Sequence, residues 1–241
     1  MEKFFRYLGH KAGPGIRKSK WIYNSFFADK NRALESEYLV GKELSFKVLA
    51  EYQTIKDPAS MEIIENIHHR LLRCLTNNKR KFDITAIHSE EMNAFALPGG
   101  FIFITEGLFN LCKSKSAELA YIFAHEMMHV ILRHPLNRIL SGFSLKVLEN
   151  FIRTRGAIGN LAKQAVSGFL RNGYSQENEL EADCYAVRLM SYAGFDKQAA
   201  IDVLRKLKDA SRERSELFNY LSSHPSIEDR ITNIKDTIVT S

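Results

Sequence analysis

The five residues His125-Glu126-Met127-Met128-His129 constrain this chain more than any other stretch. They fall inside a segment, about Ser116 to His134, whose apolar residues Leu119, Ile122, Phe123, Val130 and Ile131 recur at helical spacing. Ser116 stands where an N-cap belongs, and Pro135 is expected to end or kink the helix. Residues four apart on a helix project from one face, so both imidazoles can reach a single tetrahedral ion. Glu126 sits beside them, where a carboxylate can take a proton from water activated by such an ion. Taken alone, the pair is also compatible with two satisfied surface histidines on an amphipathic helix. Catalysis needs a third protein ligand and an open position, and these must come from elsewhere in the chain.

A third histidine just downstream would require the helix to break soon after the second, usually at a glycine. Here the sequence continues Val130-Ile131-Leu132-Arg133-His134 without one, so the helix is expected to run on. His134, five residues after His129, then points away from the metal face and is read as structural. A better source is the acidic segment Glu177-Asn178-Glu179-Leu180-Glu181-Ala182-Asp183. Glu179 and Asp183 are four apart and share a helix face. Glu179 can ligate a metal, while Asp183 can accept a hydrogen bond from a ligating histidine and fix its tautomer. A solvated acidic face is the alternative, and it is the reading for Glu177 and Glu181, whose two-residue offsets turn them elsewhere.

Around these segments the pattern is mainly helical with a little β-structure, an α+β class. Helices are expected over about Asp29–Tyr52, with apolar Leu34, Tyr38, Leu39, Phe46, Leu49 and Ala50, and after Asp57-Pro58, since proline is tolerated at the first helical position. The second helix carries Met61, Ile64, Ile67, Leu71, Leu72 and Leu75, and Asn77-Asn78-Lys79-Arg80 ends it. Phe82–His88 alternates like a strand. Asn93–Leu97 and Phe101–Thr105, separated by Pro98-Gly99-Gly100, read as a hairpin. Further helices are expected at about Leu136–Thr154, Ile158–Arg171, Ser175–Ala193, Lys197–Arg212 and Ile227–Thr237.

With 241 residues, 45% of them hydrophobic, the chain can bury a core without disulfides. It lacks linker-like or repetitive tracts, so the expected organisation is a basic arm over 1–28 and one catalytic domain over 29–241. The net charge of +6 comes partly from that arm, where Lys3, Arg6, Lys11, Arg17, Lys18 and Lys20 face only Glu2. The arm is read as solvated, with peripheral contact to an anionic membrane surface as the alternative. No nucleic-acid module accompanies the charge, so nucleic acid is not an expected partner. Cys74, Cys112 and Cys184 are too few and too scattered for a disulfide framework and suit a reducing compartment. Neither a secretory signal nor a run of about 18 apolar residues stands out. A cytoplasmic or peripherally membrane-associated protein without a transmembrane segment is therefore expected.

Four separated features occur in order: Asn93-Ala94-Phe95-Ala96-Leu97-Pro98-Gly99-Gly100, His125 to His129, Glu179 to Asp183, and His224-Pro225 followed by Arg230. Together, over about residues 60–235, the chain resembles the zinc metallopeptidases that include HtpX, the mitochondrial OMA-type proteases, the β-barrel-assembly-enhancing protease and the CaaX prenyl proteases of the Ste type. The resemblance implies a gluzincin-type domain, mainly helical, with a small β-sheet whose edge strand borders the cleft. It implies one Zn²⁺ per chain held by His125, His129 and Glu179, with Glu126 as general base and Asp183 orienting a ligand. Asn93, Ala94, Phe95 and Ala96 resemble the family's edge strand, which can hold an extended peptide by main-chain hydrogen bonds; an ordinary buried hairpin strand is the other reading. His224 resembles a family histidine near the metal. It could steady the oxyanion, cap the zinc as an inhibitory fourth ligand, or simply enter a helix.

The chain also departs from the family. Ser175-Gln176 stands where Ser-Arg is frequent, which puts a local salt bridge in doubt. Many relatives carry transmembrane helices, tetratricopeptide repeats or a signal peptide, and none is recognised here. The stretch Leu136–Arg171 is amphipathic, interrupted by Lys146, Glu149, Arg153, Arg155 and Lys163, and is expected to act as a lid or to lie on a membrane surface. The resulting expectation is a zinc-dependent endopeptidase acting on unfolded or extended protein segments, with a role in protein quality control. The alternative is a zinc-stabilised binding or adaptor module with a closed, inactive cleft. An aminopeptidase would need an acidic pocket for the substrate's amino terminus, and the sequence carries no signature of one.

Overall fold

The structure, a computed structural model, describes residues 30–75, 79–142, 173–213, 223–224 and 226–240. The expected basic arm, the stretch 143–171 and Pro225 lie outside the described residues. In chain order the elements are α1 (Lys30–Glu51), α2 (Pro58–Arg73), β1 (Asp83–Ile87), β2 (Ala94–Ala96), a 3₁₀ turn (Pro98–Gly100), β3 (Phe101–Thr105), α3 (Glu106–Cys112), α4 (Ser116–Ile131), α5 (His134–Gly142), α6 (Gln176–Tyr192), α7 (Gln198–Glu213) and α8 (Ile227–Thr240). This is the mainly helical α+β architecture with one small sheet that the pattern implies.

Local chemistry explains where α2 begins. Asp57 accepts a hydrogen bond from the Ser60 N–H at 2.9 Å, and Pro58 takes the first turn, where its missing N–H costs nothing. The hairpin also forms as expected, with β2 antiparallel to β3 and Leu97 N–H bonded to Phe101 O at 2.8 Å. Gly99 (φ 78°) and Gly100 (φ 99°) supply the left-handed backbone of its turn. β1 joins the other side of β3 in parallel, so the order is β1-β3-β2, with apolar β3 central and β2 at an edge. Residues 53–55 bridge the outer side of β1.

Helix α4 is the centre of the molecule, buried continuously from Glu118 to Val130. A helix apolar on every side has to be surrounded, and α2, α6, α7 and β2 all pack on it. Glu118, buried in its first turn, pairs with Lys206 of α7. Among the described residues no helix is long and apolar enough to cross a membrane.

Three local expectations are corrected. Ser116 is the first helical residue of α4 and Lys115 occupies the N-cap position. The helix does not run on to His134 but ends at Ile131, because Arg133 adopts φ 61°, the left-handed conformation that glycine usually provides at a helix end. Pro135 therefore neither ends nor kinks α4; it sits in the first turn of α5. On α1, the apolar residues expected to form a face are largely outside: Leu39, Phe46 and Leu49 are 56, 53 and 41% exposed. The buried stripe is Ala33, Glu37, Val40, Gly41, Leu44, Ser45 and Val48. Its register follows from Gly41, against which the Pro98–Gly100 turn packs so closely that an added Cβ would lie 1.7 Å from Pro98 O. Beside it, buried Glu37 receives Arg80 at 2.7 and 3.1 Å.

Two measurements test this packing. Gly41→Ala is expected to destabilise the fold by about 2 kcal/mol or more, read as a lowered urea midpoint, because neither the helix nor the Pro98 carbonyl can yield cheaply. Burial, reinforced by nearby Glu118, pushes the Cys112 thiol up to about 12. With no thiolate at pH 8, Cys112 is expected to resist iodoacetamide in the folded protein and to react on unfolding.

Candidate metal centre

The register of α4 sets His125 and His129 one turn apart on the same face, with ring centroids 4.5 Å apart and Nε2 atoms 2.9 Å apart. Helix α6 crosses α4 and starts at Ser175, whose Oγ accepts the Asn178 N–H at 3.3 Å. Its first turn thereby delivers Glu179, with Oε1 3.3 Å from His129 Nε2 and Oε2 3.5 Å from His125 Nε2. His224, just before α8, brings Nδ1 to 3.3 Å from His125 Nε2 and to 3.1 and 3.2 Å from the Glu179 oxygens. All four side chains are fully buried, and one donor atom from each lies within 4.8 Å of all the others.

These separations suit a small cation. Bonds of about 2.0–2.1 Å arranged tetrahedrally hold donor atoms about 3.3 Å apart. Charge leads to the same conclusion. Glu126, Glu179 and Asp183 are fully buried carboxylates, and Arg230 is the one buried guanidinium among them. The Glu126 oxygens have no hydrogen-bond partner among the described residues; Oε1 lies 3.3 Å from His224 Nε2 without hydrogen-bond geometry. Buried carboxylates in excess over cations are expensive unless a metal joins them, and a mixed imidazole and carboxylate donor set is one that zinc accepts.

A second ring of contacts orients these groups. Asp183, one turn beyond Glu179, places Oδ1 2.8 Å from His125 Nδ1. The same oxygen accepts from Tyr121 Oη at 2.7 Å and from Arg230 Nη2 at 2.9 Å. Arg230 Nε donates to Asp183 Oδ2 at 2.8 Å, and its Nη1 lies 3.0 Å from Glu179 Oε2. Gln176 donates to Asp229 Oδ2 at 2.8 Å and so ties α6 to α8. On the other side, the Tyr174 ring stacks on His129 at 4.0 Å and 16°, and Arg138 covers Tyr174 at 3.7 Å.

Burial and neighbouring charges together set the ionisation of these groups. Burial raises Glu179, but His224, Arg230 and the two α4 histidines outweigh it and hold the carboxyl well below its usual range. Burial likewise opposes ionisation of Asp183, yet Arg230 and His125 keep it at about 2. His125 is disfavoured as a cation by burial and by Arg230, but Asp183 and Glu179 prevail and raise it to about 9. His129 is driven well below the ordinary histidine value, first by burial and then by His125.

The edge-strand residues lie close by. Asn93 is buried, pairs with Thr105 through its main chain, and accepts from Ser223 Oγ at 3.3 Å, next to His224. Ala94, Phe95 and Ala96 are also buried, with Phe95 stacked on Phe103 at 5.3 Å. Sequence reasoning missed three neighbours of the site: Tyr121, Tyr174 and His134. Far from pointing away, His134 puts Nδ1 2.9 Å from His129 Nδ1, because the break after Ile131 folds it back. The missing glycine was no obstacle to that break, though His134 stays outside the four-donor group. His134 and Tyr121 could have been found only by knowing the helix end and the partner of Asp183, and Tyr174 carried no signal.

Arg230→Leu is expected to destabilise the protein by about 3–5 kcal/mol, since it strands Asp183 and Glu179 without their cation. Chemical denaturation of the chelator-treated protein checks this apart from any metal.

Residues 58–238 match the model of peptidase family M48. The mitochondrial metalloendopeptidase OMA1 of Schizosaccharomyces pombe is 28% identical over 258 residues, covering 95% of this chain and 75% of that protein. A putative β-barrel assembly-enhancing protease of Vibrio cholerae is 29% identical over 87% of this chain, and the Escherichia coli β-barrel assembly-enhancing protease 30% identical over 76% of it. The chain spans only 45 and 39% of the length of those two proteins. A family match over most of the chain, around a buried histidine and glutamate cluster fit for a metal, makes this a member of peptidase family M48, a family of zinc metallopeptidases.

Proposed function

We propose that this chain is a zinc-dependent endopeptidase that hydrolyses unfolded or extended protein segments, with a role in protein quality control. The observation that carries the reading is the convergence of His125, His129 and Glu179 beside the buried Glu126 carboxylate, which has no hydrogen-bond partner among the described residues. In this reading those three residues hold Zn²⁺, which when bound supplies Lewis acidity toward the scissile carbonyl and acidifies water. Glu126 takes the proton from the attacking water and passes it to the leaving amine. Asp183 accepts a hydrogen bond from His125 Nδ1–H and so keeps Nε2 free to ligate. Asn93 to Ala96, on the edge strand, would align the substrate main chain.

Glu126→Gln is expected to retain one equivalent of zinc and to lose at least about a hundredfold in casein cleavage. Cleavage at the wild-type rate would show that Glu126 is not the base. A chelator should abolish wild-type cleavage, and zinc should restore it.

A second reading, a zinc-stabilised binding module with a closed cleft, is favoured by His224 Nδ1 lying among the donors and by the burial of Ala94 to Ala96. On that reading wild type and His224→Ala both bind zinc at one equivalent, yet neither cleaves unfolded casein. On the peptidase reading His224→Ala distinguishes its two roles: cleavage rises if His224 blocks the fourth position and falls if it steadies the oxyanion.

A further inference from the structure

The two α4 histidines have different partners on their far nitrogens. His125 Nδ1 meets Asp183, a carboxylate held by Tyr121 and Arg230. His129 Nδ1 meets another imidazole, Nδ1 of His134, at 2.9 Å. His134 is itself buried, and its Nε2 lies 3.5 Å from Oε2 of the half-exposed Glu181 on α6.

Proton accounting allows one productive arrangement of this chain. If Nε2 of His129 is to offer its lone pair to a cation, the ring's proton must sit on Nδ1. A buried N–H needs an acceptor, so His134 Nδ1 must be the bare nitrogen. The His134 proton is then on Nε2, directed at the Glu181 carboxylate. We infer that His134 is a positioning residue for zinc binding, fixing the tautomer and ring orientation of His129 through the His129–His134 hydrogen bond, with the Glu181 carboxylate 3.5 Å from the far nitrogen of His134.

The backbone supports this assignment. A fifth residue after His129 can return to it only if the helix stops, and Arg133 stops it by adopting φ 61° without glycine's freedom. The Tyr174 ring, stacked on His129, holds the imidazole plane from one side, leaving its rotation about the ring axis to be set by hydrogen bonding. The inference rests on the zinc reading of the site.

The test is zinc affinity of the full chain, by competition with a chromophoric chelator, for wild type, His134→Leu and His134→Asn. Leucine keeps bulk but offers no acceptor, whereas the asparagine Oδ1 can stand where Nδ1 stood. His134→Leu is expected to bind zinc about tenfold more weakly or worse, and His134→Asn to recover most of that loss. A residue that merely fills space would leave affinity unchanged in the leucine variant, or would weaken both variants alike; either result overturns the inference. The wild-type protein provides a check that needs no variant. Long-range ¹⁵N–¹H spectra of the zinc-loaded chain should show His134 protonated on Nε2, and an Nδ1–H tautomer would overturn the inference. If wild type binds no zinc, the zinc reading and this inference fall together; if it binds zinc and His134→Leu binds equally well, only the inference falls.

Discussion

A guanidinium with no access to water stays charged and must find anions, and in this fold that demand is met at one place. Arg230 is the largest fully buried side chain among the described residues, and it joins both oxygens of Asp183 while its other arm reaches Glu179. Asp183 in turn receives Tyr121 and His125 from α4. One cation from α8 therefore sets the angle and register of α6 against α4, which are the two helices that carry His125, His129 and Glu179. Breaking a buried pair of this kind leaves an uncompensated charge, so the network resists local rearrangement more strongly than apolar packing alone would. The same interaction tunes the chemistry, because it keeps Glu179 and Asp183 ionised against the cost of their burial.

The centre is built on rigid parts. α4 is surrounded by packed helices and a strand, and its two histidines are separated by one turn, the most reproducible spacing a helix offers. The break at Leu132–Arg133 is equally functional in its consequences, since it stops the helix two residues past His129 and returns His134 to that ring. Asn93 accepts a hydrogen bond from Ser223, the neighbour of His224, so the segment proposed to align substrate is tied to the residue next to the fourth donor. A movement that opens one would be felt by the other.

The relatives match between 76 and 95% of the chain, yet the β-barrel assembly-enhancing proteases are more than twice the matched length. What is common is the matched region, and the longer proteins extend beyond it. The exposed Leu39, Phe46 and Leu49 on α1 belong to a helix that lies wholly before the family match, which begins at residue 58.

Much of this was legible before any coordinates. The α2 cap at Asp57-Pro58, the hairpin around Pro98-Gly99-Gly100, the one-turn spacing of His125 and His129 and that of Glu179 and Asp183 are all encoded within a few residues. Short-range signals of that kind survive in sequence because they depend on backbone geometry and neighbouring side chains. The end of α4 was not legible, because Arg133 carries no mark of a left-handed residue; in the fold its Nε lies 3.6 Å from Glu37 Oε2 on α1. The buried face of α1 was decided by where Gly41 meets Pro98, 57 residues away in sequence, and not by the helix's own hydrophobic pattern. Parallel pairing of β1 with β3, the stacking of Tyr174 on His129 and the return of His134 to the same ring are likewise products of distant packing. Sequence alone thus determined which residues offer donors and on which helices they ride. Only the tertiary structure decided how those donors converge and which buried partners orient them, because burial and charge pairing are properties of the folded interior and not of any one segment.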